Sequence, residues 1–199
     1  MIQSITMSIF DLLFVALVVA AVVTLLAAGV YALRGKFELA QRILLRLAVC
    51  TAVYFWVVIA TSLALPRKTF AVGENQCFDD WCIRVDGYKT VPGNGKIAYT
   101  VNLHVLSRAK RVSQWEKSLA VYLTDEEGKR YDPVAEKSTG RFDVLLGPGD
   151  SAAASRSFVL PAGARHVSVV AAHEGGFPIA WFIIGYDTWF RKPAIVPLD

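Results

Sequence analysis

Several things are missing from this 199-residue chain. Residues 1–66 carry only six charged side chains: Asp11, Arg34, Lys36, Glu38, Arg42 and Arg46. The other 32 of 38 lie in residues 67–199, seventeen basic and fifteen acidic. A freely cytosolic protein is excluded by that asymmetry, because an apolar fraction of 54% exceeds what an ordinary soluble domain carries. There is no G-x-S-x-G, H-E-x-x-H, Walker-type loop or G-x-G-x-x-G, so no familiar catalytic fingerprint is present. The same composition excludes a disordered chain, and no internal repeat or low-complexity tract is evident. The length leaves room for one domain of about 130 residues beside a membrane segment, not for a large multidomain enzyme.

What is present starts with two apolar runs. Residues 12–33 hold no ionisable side chain except Tyr31, and 47–65 form a second run ending at Pro66. At about 1.5 Å per residue the first spans about 33 Å, enough for a hydrocarbon layer of about 30 Å. Backbone groups in lipid must be paired within the segment, so both runs are expected to be helices. Gly35 is placed to end the first, and the second is expected to begin early, near Glu38. The linker between them carries four basic residues, against none before it and two, Arg67 and Lys68, just after Pro66. The positive-inside rule then puts the linker in the cytoplasm and both termini outside, in a cell (inner) membrane. Ser62-Leu63-Ala64 resembles a cleavage site, but it follows a second spanning run, so both helices are expected to remain. Small residues at Ala16, Ala20, Thr24 and Ala28, and at Ala48 and Ala52, are expected to let the helices pack closely. No Asp, Glu, Lys, Arg or His lies deep in either run, which argues against a channel or transporter.

Cysteine is scarce. Cys50 lies in the second run and reads as a packing residue, while Cys77 and Cys82 flank a four-residue loop just beyond it. Outside the cytoplasm a Cys77–Cys82 disulfide is the leading expectation, with free thiols or a metal or redox role as alternatives. The three histidines are not spaced as zinc ligands.

Beyond Pro66 the pattern has period two. Residues 83–88 alternate, Pro92-Gly93-Asn94-Gly95 is a turn, and Ile97, Tyr99, Val101, Leu103 and Val105 share one face, leaving His104 outside. Residues 119–123 and Arg130-Tyr131 flank a turn containing Gly128. Gly147-Pro148-Gly149-Asp150 makes another turn, and residues 153–160 and 166–171 complete the set. Short strands between Gly/Pro turns, with no long amphipathic helix among them, predict an all-β antiparallel sandwich behind a two-helix hairpin.

The segments Tyr99-Thr100-Val101-Asn102-Leu103, Leu123 through Tyr131, Gly147-Pro148-Gly149-Asp150 and Phe158-Val159-Leu160-Pro161 follow one another in a familiar order. Over about residues 76–175 the chain resembles the immunoglobulin-like extracytoplasmic domain of unknown function found on bacterial lipoproteins and membrane-anchored proteins. The resemblance implies a β-sandwich outside the cell membrane and supplies no catalytic motif. The chain departs from it by a two-helix anchor in place of a lipidated cysteine, and by an aromatic C-terminal stretch.

Candidate chemistry is sparse. Asp79-Asp80 is the nearest approach to paired carboxylates, and on an extended chain the two would point apart. His166 and His173 read as solvated. Arg108, Lys110 and Arg111, followed by Trp115, form a basic cluster that reads first as a plain solvated loop, with contact to anionic lipid or an acidic partner as the alternative; the expected compartment argues against nucleic acid. Residues 177–192 concentrate Trp181, Tyr186, Trp189 and Phe190 before Arg191-Lys192. They read either as a last strand over 179–184 with a tail on the core, or as a membrane or partner contact. The domains expected are thus 1–66, two transmembrane helices, and 67–199, the extracytoplasmic sandwich. The leading function is a non-enzymatic binding or interaction module with no cofactor and no metal. Its partners would be the bilayer and a membrane or envelope protein, met through Phe78, Trp81, Arg108, Lys110, Arg111, Trp115, Trp181, Tyr186, Trp189 and Phe190. The alternatives are a small accessory subunit acting through its helices, and an envelope redox or hydrolytic protein.

Overall fold

The computed structural model describes residues 9–78, 80–115, 118–174, 182–183 and 191–198. They divide into two compact units, one built on residues up to Pro66 together with Phe182, Ile183 and Arg191, the other on residues from Arg67 onward.

The first unit contains α1 (Ile9–Leu33) and α2 (Phe37–Ala64), of 25 and 28 residues. At about 1.5 Å per residue these are about 38 and 42 Å long, and both are long and apolar enough to cross a membrane. Gly35, at φ +75°, closes α1 in the expected way. Its N–H donates to the Ala32 carbonyl and the Lys36 N–H to that of Tyr31, which pairs two of the carbonyls a helix end leaves open. Only Arg34, Gly35 and Lys36 separate the helices, so Arg42 and Arg46 lie on the first turns of α2.

Of the expected small-residue stripes, Thr24 and Ala28 are covered and the remaining four positions are not. On α1 the covered positions include Phe14, Leu17, Ala21, Thr24, Ala28 and Tyr31; on α2 they include Ala40, Ile43, Leu47, Thr51, Tyr54, Val58 and Ser62. Ala16, Ala20, Ala48 and Ala52 are exposed. A strict four-residue row drifts about 40° around the helix at each step, whereas alternating steps of three and four hold one line toward a neighbour.

The second unit is made of two facing four-stranded antiparallel sheets. One contains β1 (Asn75–Phe78), β2 (Trp81–Gly93), β3 (Lys96–Ser107) and β8 (Ser151–Pro161), in that order. The other runs β10 (Val196–Pro197), β9 (Ser168–His173), β5 (Leu119–Thr124), β6 (Arg130–Tyr131). A separate ribbon pairs β4 (Gln114–Trp115) with β7 (Leu145–Leu146). The strands expected from alternation are all found, and Tyr99, Val101, Leu103 and Val105 of β3 face the core with Phe158 and Leu160 of β8. Val121, Leu123, Val169 and Ala171 close it from the other sheet.

Two features of the sheets escaped the sequence pattern. Opposite Leu103 and Asn102, β2 carries an extra residue, Asp86, and this bulge shifts the register. Simple alternation sends Tyr88 outward with Arg84; the bulge reverses the parity, and Tyr88 packs on the core opposite Val101. The outer edge of β8 is covered by residues 134–140, which include a short 3-10 turn (Ala135–Lys137). Val134 N–H donates to the Ser157 carbonyl at 2.7 Å, and Thr139 and Ser155 exchange both backbone hydrogen bonds at 2.9 and 2.8 Å. Covering an edge in this way removes a row of open donors and acceptors.

Most of the strand expected over 179–184 lies outside the described residues. Phe182 and Ile183 are its only described residues, and neither is in a strand. Phe182 packs in the helical unit, 6.5 Å from the ring of Phe14 and 5.9 Å from that of Phe55. The last described residues return to the sheets as β10 beside β9, and Ile195 bridges to Thr69.

Candidate functional site

Three connections meet at one end of the sandwich. The β1–β2 turn is clasped by the expected disulfide, Cys77 to Cys82, which joins residues directly opposite each other in the hairpin. Arg108 N–H donates to the Asp80 carbonyl at 2.6 Å, holding the chain after β3 against this turn. Ser107 N–H donates to the Asp150 carbonyl at 2.9 Å, which adds the Gly147–Asp150 turn. That turn forms because Asp150 N–H reaches the Gly147 carbonyl while its carboxylate accepts from Gly147 N–H at 2.9 Å.

The expected contact residues divide. Trp81 is 8% exposed and belongs to the core, its ring stacked 4.6 Å from that of Phe78, which is itself half-buried against the core. Trp81 is therefore closed to a partner, while Phe78 keeps part of its surface exposed. The cross-strand disulfide holds the two ends of this turn together, and stacking inside hides more apolar area than a loop pointing to water would. Arg108, Lys110 and Arg111 are exposed as expected. Trp115 is 54% exposed, and its indole N–H donates to the Asp143 carbonyl at 3.1 Å. Trp181, Tyr186, Trp189, Phe190 and Asp79 lie outside the described residues.

Sequence reasoning missed the partner of Trp115. Leu145 is its register partner across the β4–β7 ribbon and is 65% exposed, while the next residue, Leu146, turns into the core. Val112, 68% exposed, adds a third apolar side chain on the connection that carries the basic residues. Two-residue strands are too short for alternation to be read, so the only signal was Leu145-Leu146 just before the turn.

Elsewhere polar groups are occupied with structure. Asp125 accepts from the N–H groups of Glu127 and Lys129 and from the Tyr131 hydroxyl at 2.8 Å. Partial burial by itself would push its carboxyl up, but the Tyr131 and backbone hydrogen bonds outweigh this and hold it below the usual value. Tyr131 is pushed up to about 12, first by burial and then by the Asp125 carboxylate. Beside this turn lies an open groove of about 190 Å³ lined by Asp125, Lys129, Tyr131 and Arg165. Arg130 lies 4.0 Å over the Tyr122 ring and pairs with Asp132 and Glu174. His104 faces outward, its Nδ1 3.4 Å from Asp86. Between the sheets a cavity of about 10 Å³ lies beside the buried Gln76, whose amide donates to the Ala171 carbonyl. It is at most the size of one water. Among the described residues no three His, Cys, Asp or Glu side chains are grouped to hold a metal ion.

Fold and surface together define a class: an antiparallel β-sandwich domain of unknown function that follows two long apolar helices. No protein-family description matches the chain, and no curated protein matches it in sequence. Among solved structures it is similar to an uncharacterised β-sandwich protein from Clostridium difficile 630, with TM-score 0.44 and 10% identity over 67% of this chain and 95% of that one. It is also similar to the secreted protein MPT63 of Mycobacterium tuberculosis, with TM-score 0.43 and 12% identity over 67% and 99% of the two chains. A third is the yjhA protein of Bacillus subtilis, with TM-score 0.40 and 14% identity over 65% and 98%. The sandwich assignment stands on the strand pairing above, not on these likenesses.

Proposed function

We propose that the chain is a membrane-anchored, immunoglobulin-like binding module without a reaction of its own. On this reading α1 and α2 span the bilayer, the Arg34–Lys36 link lies in the cytoplasm, and the sandwich works outside it. The lengths of the helices and their exposed Leu, Val, Ile and Phe side chains support the span. A disulfide in the sandwich supports an oxidising compartment.

One observation carries the binding role. Trp115 and Leu145 stand side by side and exposed on a two-stranded ribbon, next to Val112 and the cations Arg108, Lys110 and Arg111. A soluble surface gains nothing from such a grouping, whereas an apolar centre with a charged rim is the make-up of a recognition surface. The partner it fits is an envelope protein with an acidic rim around an apolar depression. Held in the same membrane, the two would meet by diffusion in a plane.

A photo-crosslinking side chain at position 115, introduced in the full chain in intact cells, tests this. A discrete adduct is expected, lost when Arg108, Lys110 and Arg111 are replaced by Gln. The same faint background from position 115 as from position 91, an exposed site on the β2–β3 hairpin, would overturn the assignment.

A further inference from the structure

We propose that Arg67, Lys68 and Lys192 form a cationic clamp for the phosphate of an anionic phospholipid headgroup; this rests on the reading that α2 spans the membrane.

The three residues belong to one compact unit but come from opposite ends of its chain. Arg67 and Lys68 stand where the chain enters the sandwich, and Lys192 stands just before β10. A parallel bridge between Thr69 and Ile195 lays the two stretches side by side. Phe70 N–H donates to the Ile195 carbonyl at 2.9 Å, and Ile195 N–H donates to that of Lys68 at 3.0 Å. One step back along both stretches, the Arg67 Nε donates to the Pro193 carbonyl at 2.7 Å. Lys192, next to Pro193 in the chain, is thereby held beside Arg67 and Lys68. Main-chain pairing, not chance exposure, gathers the cations.

Their charge is left uncompensated. Arg84, Arg130 and Arg141 of the same unit each have a carboxylate partner. Arg67, Lys68 and Lys192 have none among the described residues. Lys68 and Lys192 are exposed, while Arg67 is half-buried. Burial pushes the Arg67 guanidinium below its usual value, and the Tyr122 hydroxyl offsets this only in part. Its bond to Pro193 uses one of five N–H donors and leaves the terminal Nη groups, whose planar fork matches phosphate oxygens. An anion set against that fork would offset the cost of burying it.

Inorganic phosphate has the same chemistry, but the position of the clamp in the chain favours a lipid. Arg67 lies three residues beyond Ala64, the end of α2. Three residues reach at most about 10 Å, and the headgroup layer outside the hydrocarbon is about 5–8 Å deep. Covalent connection alone therefore keeps Arg67 at or beside the phosphates, whichever way the sandwich is turned. Each Lys or Arg at an anionic membrane surface strengthens binding about fivefold.

The test uses the full chain in a mild detergent with phosphatidylglycerol or phosphatidylcholine added, and native mass spectrometry to count the lipids that stay bound. Replacing Arg67, Lys68 and Lys192 by Gln should weaken phosphatidylglycerol retention about tenfold or more and leave phosphatidylcholine unchanged. Gln at 67 keeps a donor for the Pro193 carbonyl. The Lys68→Gln/Lys192→Gln variant leaves that bond untouched and should lose about fivefold or more. Replacing Lys89, Lys96 and Lys137, exposed lysines elsewhere on the sandwich, should change nothing; an equal loss there would reveal unspecific charge attraction and overturn the clamp. Undiminished phosphatidylglycerol binding by both clamp variants would overturn it as well. Displacement of the lipid from the parent by millimolar inorganic phosphate would overturn the choice of a lipid. Alkaline carbonate extraction of membranes carrying the parent separates the two readings. A retained parent whose lipid binding ignores the substitutions sinks the clamp alone, whereas a released parent sinks the spanning reading and the clamp with it.

Discussion

Gly140 occupies a left-handed backbone conformation, φ +73°, where the covering segment meets β8. A Cβ there would stand 2.6 Å from the Ala153 carbonyl oxygen and 2.8 Å from the Ala154 Cα, both backbone atoms that cannot step aside. Gly140→Ala is therefore expected to cost about 2 kcal/mol or more, combining the left-handed penalty with the collision, read as a lowered denaturation midpoint. Ser107 points the other way. Its hydroxyl is buried without a hydrogen-bond partner, so Ser107→Ala should be neutral or stabilise by up to about 1 kcal/mol in the same measurement. Asp125 brings a pH dependence. Its folded pKa lies below the ordinary value, so the stability it contributes is fully present above about pH 4 and is lost as pH falls through the folded pKa. Acid unfolding of Asp125→Asn, followed from about pH 5 to pH 2, should show a shallower loss of stability than the parent. An identical slope would remove Asp125 from the account.

Among the elements, the clasped hairpin makes the clearest prediction. Its cysteines are five positions apart, and closing so short a loop restricts the unfolded chain by about 2 kcal/mol. Replacing both Cys77 and Cys82 by Ala should lower stability by about that amount and leave the sandwich folded, as judged by an unchanged far-ultraviolet spectrum. The strands themselves were largely legible: β3 alternates cleanly over its whole length, and β5, β6 and β8 sit between turn residues. The bulge at Asp86 was not, because an inserted residue is defined only by what lies opposite it on β3. Trp81 was misread for a related reason, since whether an aromatic beside a turn faces water or core depends on the register of its hairpin. The Trp115–Leu145 pair depends on two segments some thirty residues apart, so half of the candidate surface had no local sign.

For the whole molecule, the proposed membrane span makes a prediction of its own. With the linker in the cytoplasm, protease added to intact spheroplasts should remove the residues from Arg67 onward and spare the helices, before any lysis. Digestion only after lysis would reverse the topology and with it the setting of the binding surface.

What the sequence by itself determined was whatever depends on neighbours along the chain: two unbroken apolar runs, a glycine stop after the first, period-two strands, and the turns that separate them. These follow from helical and extended geometry acting over a few residues. Only the tertiary structure decided which strands became partners, that Trp81 turned inward, that Leu145 stands beside Trp115, and that Phe182 left the sheets for the helices. Each of these sets residues far apart in sequence against one another, and which distant surfaces bury each other is a property of the folded chain, not of any stretch of it.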